Sequence, residues 1–366
     1  MKIKAAVARE AGSDLSIEEL DLEDPRDDEI LVKVVATGVC HTDLVVMAGH
    51  LPTPMPAVLG HEGAGIVEKV GSAVTKVKPG DHVVMSFNSC GGCPSCHEHE
   101  PAYCYEFFPR NFFATRPDGT VAISKEGESI HSNFFGQSSF ATYALCHSVN
   151  VVKVPETAQL DLLGPLACGI QTGAGAVMNA LKVKDGKSFV VFGAGSVGLS
   201  AVMAAKASGA STIVAVDLND SRLEKAKELG ATHVVNASSE GVVEQLRDIG
   251  GFGIDYALDT TGLPPVIRQA LDALAPRGTC AILGAPMPES EISVDNTDFM
   301  SFGKKLIGVV EGASQPDTFI PELIALWQAG KFPFDKLVSF YDFDDINQAV
   351  HDSHAGTAIK PIVKMS

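Results

Sequence analysis

Phe189-Val190-Val191-Phe192 runs straight into Gly193-Ala194-Gly195-Ser196-Val197-Gly198, and this stretch decides how the second half of the chain folds. A short apolar run reads as a buried strand, and glycines spaced Gly-x-Gly-x-x-Gly at its end read as a tight turn opening a helix. Gly193 permits the turn, Gly195 lets backbone approach a pyrophosphate, and Gly198 lets the helix pack closely on the strand. The helix start adds N–H donors and the positive end of a dipole. Outward from this point, the apolar runs Thr212–Val216, His233–Val235, Tyr256–Leu258 and Thr279–Leu283 alternate with helix-like segments such as Asp220–Leu229. Successive βα units and a parallel sheet are therefore expected from about residue 170 onward. Asp217 stands nineteen residues past Gly198, at the end of the next apolar run. A carboxylate there can accept both ribose hydroxyls of NAD and repel the extra phosphate of NADP. The alternatives are an Asp that caps the following helix, and an Arg222 that attracts a phosphate.

The preceding half has a different texture. Ile30–Ala36, Gly65–Val70 and Asp81–Ser86 are β-branched runs bounded by Gly and Pro, so a β-rich unit is expected. Ten acidic residues from Glu10 to Glu29, opposed only by Arg26, read as a solvated surface around a hairpin. After about Val310 come an amphipathic helix, Phe319–Gln328, and a tail too short to fold alone, which is expected to pack back onto the first unit. A length of 366 residues suits two domains, and 45% hydrophobic with 20% charged residues excludes a disordered chain. A net charge of −17 gives no electrostatic help toward nucleic acid or an anionic membrane, so neither is an expected partner. The N-terminal MKIKAAVAREAGSD lacks the apolar core of a signal peptide, and cytoplasmic residence is expected.

Eight cysteines are too sparse for a disulfide scaffold, and they cluster. Cys90, Cys93, Cys96 and Cys104 put four thiolates on one Gly/Pro-bearing loop. Four thiolates close a tetrahedral zinc shell and leave no open position, which makes the site structural. An iron–sulfur cluster, a redox switch or a zinc ribbon for nucleic acid are the alternatives, and the acidic balance opposes the last. His97 and His99 are bystanders. Cys40, His61 and Cys168 would make a two-Cys, one-His zinc with an open fourth position, although their separation in sequence does not show that they converge. Cys146 and Cys280 read as buried thiols.

Together these motifs resemble the zinc-dependent medium-chain alcohol dehydrogenases over essentially the whole chain. Gly60-His61-Glu62-x2-Gly65-x5-Gly71 is similar to that family's zinc pattern, the four-cysteine loop follows it, and Cys168 precedes the nucleotide fold. More closely, ATGVCHTDL (36–44), FFGQSSFATYAL (134–145), GPLACGIQTGAGA (164–176) and GKFPFDKLV (330–338) resemble the aryl-alcohol dehydrogenases, a bacterial branch that oxidises benzyl alcohol. The resemblance implies an α/β chain. A β-rich GroES-like catalytic domain would span 1–169 and 310–366, and a Rossmann doubly wound parallel-sheet domain would span 170–309. It implies NAD and two zinc ions per chain, and a homodimer or homotetramer joined through the nucleotide domains.

Residue by residue, it implies that Cys40, His61 and Cys168 hold catalytic zinc with Glu62 behind it, and that Asp43 orients His61. Thr42 would take the hydroxyl proton of the substrate. Thr172 and Val197 would contact the nicotinamide, Arg222 the adenosine ribose, and Lys360 the pyrophosphate region. Some members carry histidine three residues after Thr42 as the outer end of a proton relay; this chain has Val45, which leaves His41 as the substitute. Eight phenylalanines fall between Phe87 and Phe140, and most fill a core. Leu51, Phe87 and Phe108 are expected near the pocket, where they would suit a flat aromatic alcohol. Glutathione-dependent formaldehyde dehydrogenases and broad primary alcohol dehydrogenases are the alternatives.

Overall fold

A computed structural model describes residues 1–284 and 290–365 of the chain. They form two compact units, Met1–Gly169 with Gln315–Ala325 and Asp335–Ser366, and Ile170–Ser314 with Leu326–Phe334. Residues 310–314 and 326–334, expected with the first unit, belong with the second. Within the second segment Phe332 and Phe334 are buried, and Trp327 packs on Phe334 at 5.4 Å between ring centroids.

In the first unit, strand Glu29–Gly38 is the hub of one sheet. It pairs antiparallel with Glu62–Val70, Tyr143–His147 and Lys360–Lys364. A second sheet is built around the hairpin of Lys2–Ala8 and Ser16–Leu22. One face of the hub strand packs Ile30, Val32 and Val34 with Val67, Val83 and Cys146, while Leu31 on the other face joins a second core, so most of the strand is buried on both sides. The tail packs back through Lys360–Lys364, which pairs with Val338–Asp342 on its other edge.

The acidic segment is not all solvated surface. Glu29 is fully buried and accepts from Arg116 Nε and Nη2 at 2.6 and 3.0 Å, while Glu18 is held by Arg9 and Lys125. Sequence proximity hid these pairs, because Arg116 lies 87 residues from Glu29. Burial would raise the Glu29 carboxyl, but hydrogen bonds from Arg116 and the Arg26 N–H outweigh it and hold it below its usual value. Arg116→Ala leaves that carboxylate buried and unpaired, and is expected to cost about 3–5 kcal/mol at pH 7. The contribution is present above the unfolded carboxyl value of about 4.3 and lost as pH falls through the lower folded one. Urea unfolding of both proteins at pH 7 and at pH 3 checks this: the gap should narrow in acid.

In the second unit six parallel strands, taken in chain order, lie 3-2-1-4-5-6. Ser188–Phe192 is the central first strand, flanked by Thr212–Asp217 and Ile254–Asp259. These strands are buried on both faces, which is why they read as continuous apolar runs. The strand order reverses beside Ser188–Phe192, and in such sheets the ligand crevice opens at the strand ends there.

Candidate functional site

Strand register builds the first site. Gly38 pairs with Glu62 on one edge and with Ile362 on the other, so segments remote in sequence end side by side. Gly38 must lack a side chain, since a Cβ there would lie 2.0 Å from a Glu62 oxygen. Beyond it, Cys40 precedes helix His41–Met47, whose buried Asp43 ties the loop together. Its carboxylate accepts the Cys40 N–H at 3.0 Å and the Gly60 N–H at 3.1 Å, and lies 3.0 Å from His61 Nδ1. That contact puts a proton on Nδ1 and leaves Nε2 to face the two thiols. Nε2 is buried without a hydrogen-bond partner, a costly state unless something else binds it.

Cys168 Sγ stands 4.0 Å from Cys40 Sγ, and the ligand atoms of Cys40, His61, Glu62 and Cys168 all lie within 4.8 Å of one another. A disulfide needs about 2.05 Å. Thiolates sharing a tetrahedral zinc, at about 2.3 Å each from the metal, sit about 3.8 Å apart. The donor set fits zinc, and the orphaned Nε2 is the atom that zinc would satisfy. Hydrogen bonding with Cys168 holds the Cys40 thiol well below its usual value, against burial and with help from the charges of His61 and Lys360. Burial works to depress His61, but the Asp43 carboxylate and the Cys40 thiolate outweigh it and raise it. Proton and metal therefore compete for the same pocket.

Glu62 and Lys360 lie directly behind. The Lys360 ammonium is 1% exposed and donates to both Glu62 oxygens, at 2.9 and 3.0 Å, and to the Val39 carbonyl. This corrects the expectation that Lys360 serves the pyrophosphate: its charge is spent on Glu62, because strand pairing draws Lys360 inward beside Gly38. Burial pushes the Glu62 carboxyl up to about 7 against the pull of Lys360. Thr42 Oγ1 lies 3.9 Å from Cys40 Sγ, while His41 is exposed at the start of the helix.

Aromatic rings wall the histidine. Phe135 stacks on the His61 ring at 4.5 Å and 25°, and Phe134 meets it edge-on at 5.6 Å. Phe112 and Phe107 pack on Phe135, and Phe87 on Phe107. Leu51 packs against the larger apolar core to which Phe87, Phe134 and Phe135 belong. Phe108 does not join these buried rings: it is 43% exposed, stacks on Phe112 and meets Phe113 edge-on, since one helical face cannot turn both Phe107 and Phe108 inward. Phe134 and Phe135 escaped notice as site residues, although the quoted FFGQSSF stretch contained them.

Cys90, Cys93, Cys96 and Cys104 form the second cluster, with all sulfurs within 4.8 Å of one another and the pairs 90–96, 93–96 and 93–104 at 3.9, 3.6 and 4.0 Å. Backbone N–H groups of Cys93 and Glu106 point at the sulfurs of Cys90 and Cys104, the donors that thiolates attract. N–H groups from Tyr105 and Cys96 hold the Cys93 thiol down to about 6. His97 and His99 are exposed outside the cluster.

In the second unit, Gly193 has φ +94°, and a Cβ on Gly198 would lie 1.8 Å from the Gly193 carbonyl. Nothing lies within 4 Å of a Cβ built on Gly195, so no neighbour in the fold demands glycine there; an incoming ligand would. Asp217 accepts the Ala194 N–H at 2.7 Å and the Asn219 N–H at 2.8 Å, and Asn219, not Asp217, caps the next helix. A cavity of about 270 Å³ opens beside it, lined by Gly193, Asp217, Thr261 and Leu263 among others. Arg222 is half-buried, with its guanidinium attracted by Asp217. Gly173 lets helix Gly169–Gly175 touch the Val197 carbonyl, which brings Thr172 and Val197 to one place. Thr172 Oγ1 donates to the buried Glu311 at 3.3 Å, a partner that sequence reasoning missed.

Comparison with known proteins places these sites in context. Residues 26–156 match the alcohol dehydrogenase GroES-like domain, and residues 196–328 the zinc-binding dehydrogenase domain. The chain is 46% identical to geraniol dehydrogenase of Castellaniella defragrans, covering 98% of this chain and 97% of that one. It is 39% identical to S-(hydroxymethyl)glutathione dehydrogenase of Komagataella pastoris, covering 100% and 98%. The crystal structure of benzyl alcohol dehydrogenase from Acinetobacter calcoaceticus superposes with a TM-score of 0.97 at 51% identity, over 100% of both chains.

Proposed function

This chain belongs to the zinc-binding alcohol dehydrogenases, with a GroES-like domain and a Rossmann domain, and from that premise we propose that it oxidises a benzyl-type primary alcohol to the aldehyde with NAD. The reading gives each chain two zinc ions, one held by Cys40, His61 and Cys168 and one by the four-cysteine loop. When bound, zinc supplies a Lewis acid that eases loss of the alcohol proton, and NAD accepts the hydride from the carbon. Thr42 takes the hydroxyl proton through Oγ1, and Val45 cannot pass it on, which leaves the exposed His41 or solvent to receive it. Asp43 keeps His61 in the tautomer a metal needs. Lys360 offsets the charge of Glu62, so the pocket presents two thiolates to a dication rather than two thiolates and a bare carboxylate. Gly193, Gly195 and Gly198 seat the pyrophosphate on the helix start, and Asp217 and Arg222 take the ribose. Thr172 and Val197 receive the nicotinamide.

The observation that supports the aromatic preference is the pair of half-buried rings Phe107 and Phe112, packed on the buried Phe87 and Phe135 beside His61. Flat rings bury well against such a surface, and each aromatic contact is worth about 0.5–1.5 kcal/mol beyond its area. The wall carries no charge for a glutathione adduct. A panel of benzyl alcohol, geraniol, hexanol and S-(hydroxymethyl)glutathione, run with NAD, tests this. Benzyl alcohol should lead S-(hydroxymethyl)glutathione by at least about tenfold in kcat/KM. The reverse order would assign the chain to glutathione-dependent formaldehyde oxidation.

Asp217→Gly removes the carboxylate that faces the ribose, and should raise the KM for NAD about 10- to 100-fold while lifting the relative use of NADP. An unchanged NAD/NADP preference would discard the role given to Asp217. We also place the protein in the cytoplasm, in keeping with eight free cysteines, and as a homodimer or homotetramer. Among the described residues, no helix is long and apolar enough to cross a membrane.

A further inference from the structure

The turn that carries Phe135 is built at a cost. Asn133, Phe135, Gly136 and Ser138 all have positive φ, at 68°, 50°, 67° and 55°. Three of these are not glycine, and a bulky residue in the left-handed region is disfavoured by about 1–3 kcal/mol. Such strain persists only where the surroundings over-determine it, and here they do. Asn133 Nδ2 donates to the Leu145 carbonyl at 3.2 Å. Ser138 Oγ accepts the Phe134 N–H at 2.9 Å and donates to the Val58 carbonyl at 2.6 Å. Asn150 Nδ2 donates to the Gly136 carbonyl at 3.0 Å.

Two side chains of the strained turn reach the segment of His61. Gln137 grips the backbone on both sides of Glu62: Nε2 donates to the His61 carbonyl and Oε1 accepts the Gly63 N–H, each at 3.0 Å, while Nε2 also donates to the Met85 and Ser86 carbonyls at 2.8 and 3.2 Å. Two positions earlier, Phe135 lies face-on to the His61 ring at 4.5 Å and is itself 3% exposed. Phe112, Phe134 and Phe107 meet Phe135 edge-on at 5.1, 5.0 and 6.4 Å and lock its plane. Beside the covalent tether at Cγ, Asp43 holds His61 at Nδ1, which restrains rotation about the Cβ–Cγ bond but still lets the ring plane rock. A flat surface against the ring face removes that freedom.

We propose that Phe135 is a positioning residue for His61, and that the strained turn 133–138 exists to press its ring against the imidazole so that Nε2 keeps its direction toward Cys40 and Cys168. This rests on the reading of His61 as a zinc ligand. A leucine at 135 would keep apolar bulk and backbone strain but would offer no plane.

The test uses full-length protein loaded with zinc, and separately with cobalt(II) in the site of Cys40, His61 and Cys168. In Phe135→Leu, one of two zinc ions should leave to a chelator about 10- to 100-fold faster than in the parent, since residues that orient a ligand typically weigh that much on metal affinity. The cobalt d–d bands should shift, kcat should fall, and the KM for NAD should hold. Phe135→Tyr, which restores the plane, should return both the release rate and the spectrum. Phe135→Met repeats the test where the leucine variant does not fold. Parent-like zinc release and spectrum in the leucine or methionine variant would overturn the proposal, as would a tyrosine variant that behaves like leucine. Failure of the underlying reading looks different: the parent itself would hold no zinc at Cys40, His61 and Cys168.

Discussion

Cys168→Ser or His61→Ala is expected to cut alcohol turnover by at least about a thousand-fold while NAD binding survives. The size follows from the job proposed for the metal: a Lewis acid contributes several kcal/mol toward removing the alcohol proton, and each 1.36 kcal/mol is tenfold in rate. NAD binding should persist because Gly193, Gly195, Gly198 and Asp217 belong to the other compact unit, Ile170–Ser314 with Leu326–Phe334. His61→Ala also strands Asp43, whose carboxylate would keep the N–H groups of Cys40 and Gly60 but lose its imidazole. Asp43→Asn is the informative companion, because an amide can present its NH2 to Nδ1 and favour the wrong tautomer; it should lower zinc affinity with the thiols intact. Steady-state rates, zinc content and NAD titration on the same preparations check the set. Normal turnover in a folded variant that lacks zinc at this site would end the proposal.

Cys104→Ser is expected to lower zinc content from two ions per chain to one and to loosen the segment from Cys90 to Glu106. Structural zinc in small modules is worth about 10–16 kcal/mol in apparent binding energy, more than the stability of many domains. The loop has little else to hold it, since Pro94–His97 and Pro101–Tyr103 are single turns and the segment 91–101 is largely exposed. A net loss of only about 3 kcal/mol would lower Tm by roughly 6–12 °C. Limited proteolysis should then cut between Cys90 and Glu106. A variant with two zinc ions and an unchanged Tm would show that the four sulfurs do not share a metal.

Features local in sequence were legible from it. The glycine loop lies within ten residues and the four-cysteine cluster within fifteen, so spacing alone brought their groups together. Cys40, His61 and Cys168 are a different matter, because their meeting depends on the register of Glu29–Gly38 against Glu62–Val70, which no local pattern states. Lys360 shows the same limit: the resemblance implies a place near the pyrophosphate for it, while its ion-pair partner Glu62 lies 298 residues away and no local pattern joins the two. The phenylalanines fail for a related reason. Phe107 and Phe108 are alike in composition, and only the rotation of a six-residue helix decides which faces inward.

The long reach from Glu62 to Lys360 also sets an order of assembly. During synthesis, Cys40, His61 and Cys168 all emerge before the nucleotide-binding unit, whose central strands and helices are contiguous and can fold as they appear. Until Lys360–Lys364 follows and pairs with Glu29–Gly38, Glu62 has no ammonium beside it, and the half-made pocket carries an excess of negative charge. Completion of the Glu62–Lys360 pair thus waits for the last strand of the chain, long after Cys40, His61 and Cys168 have been made.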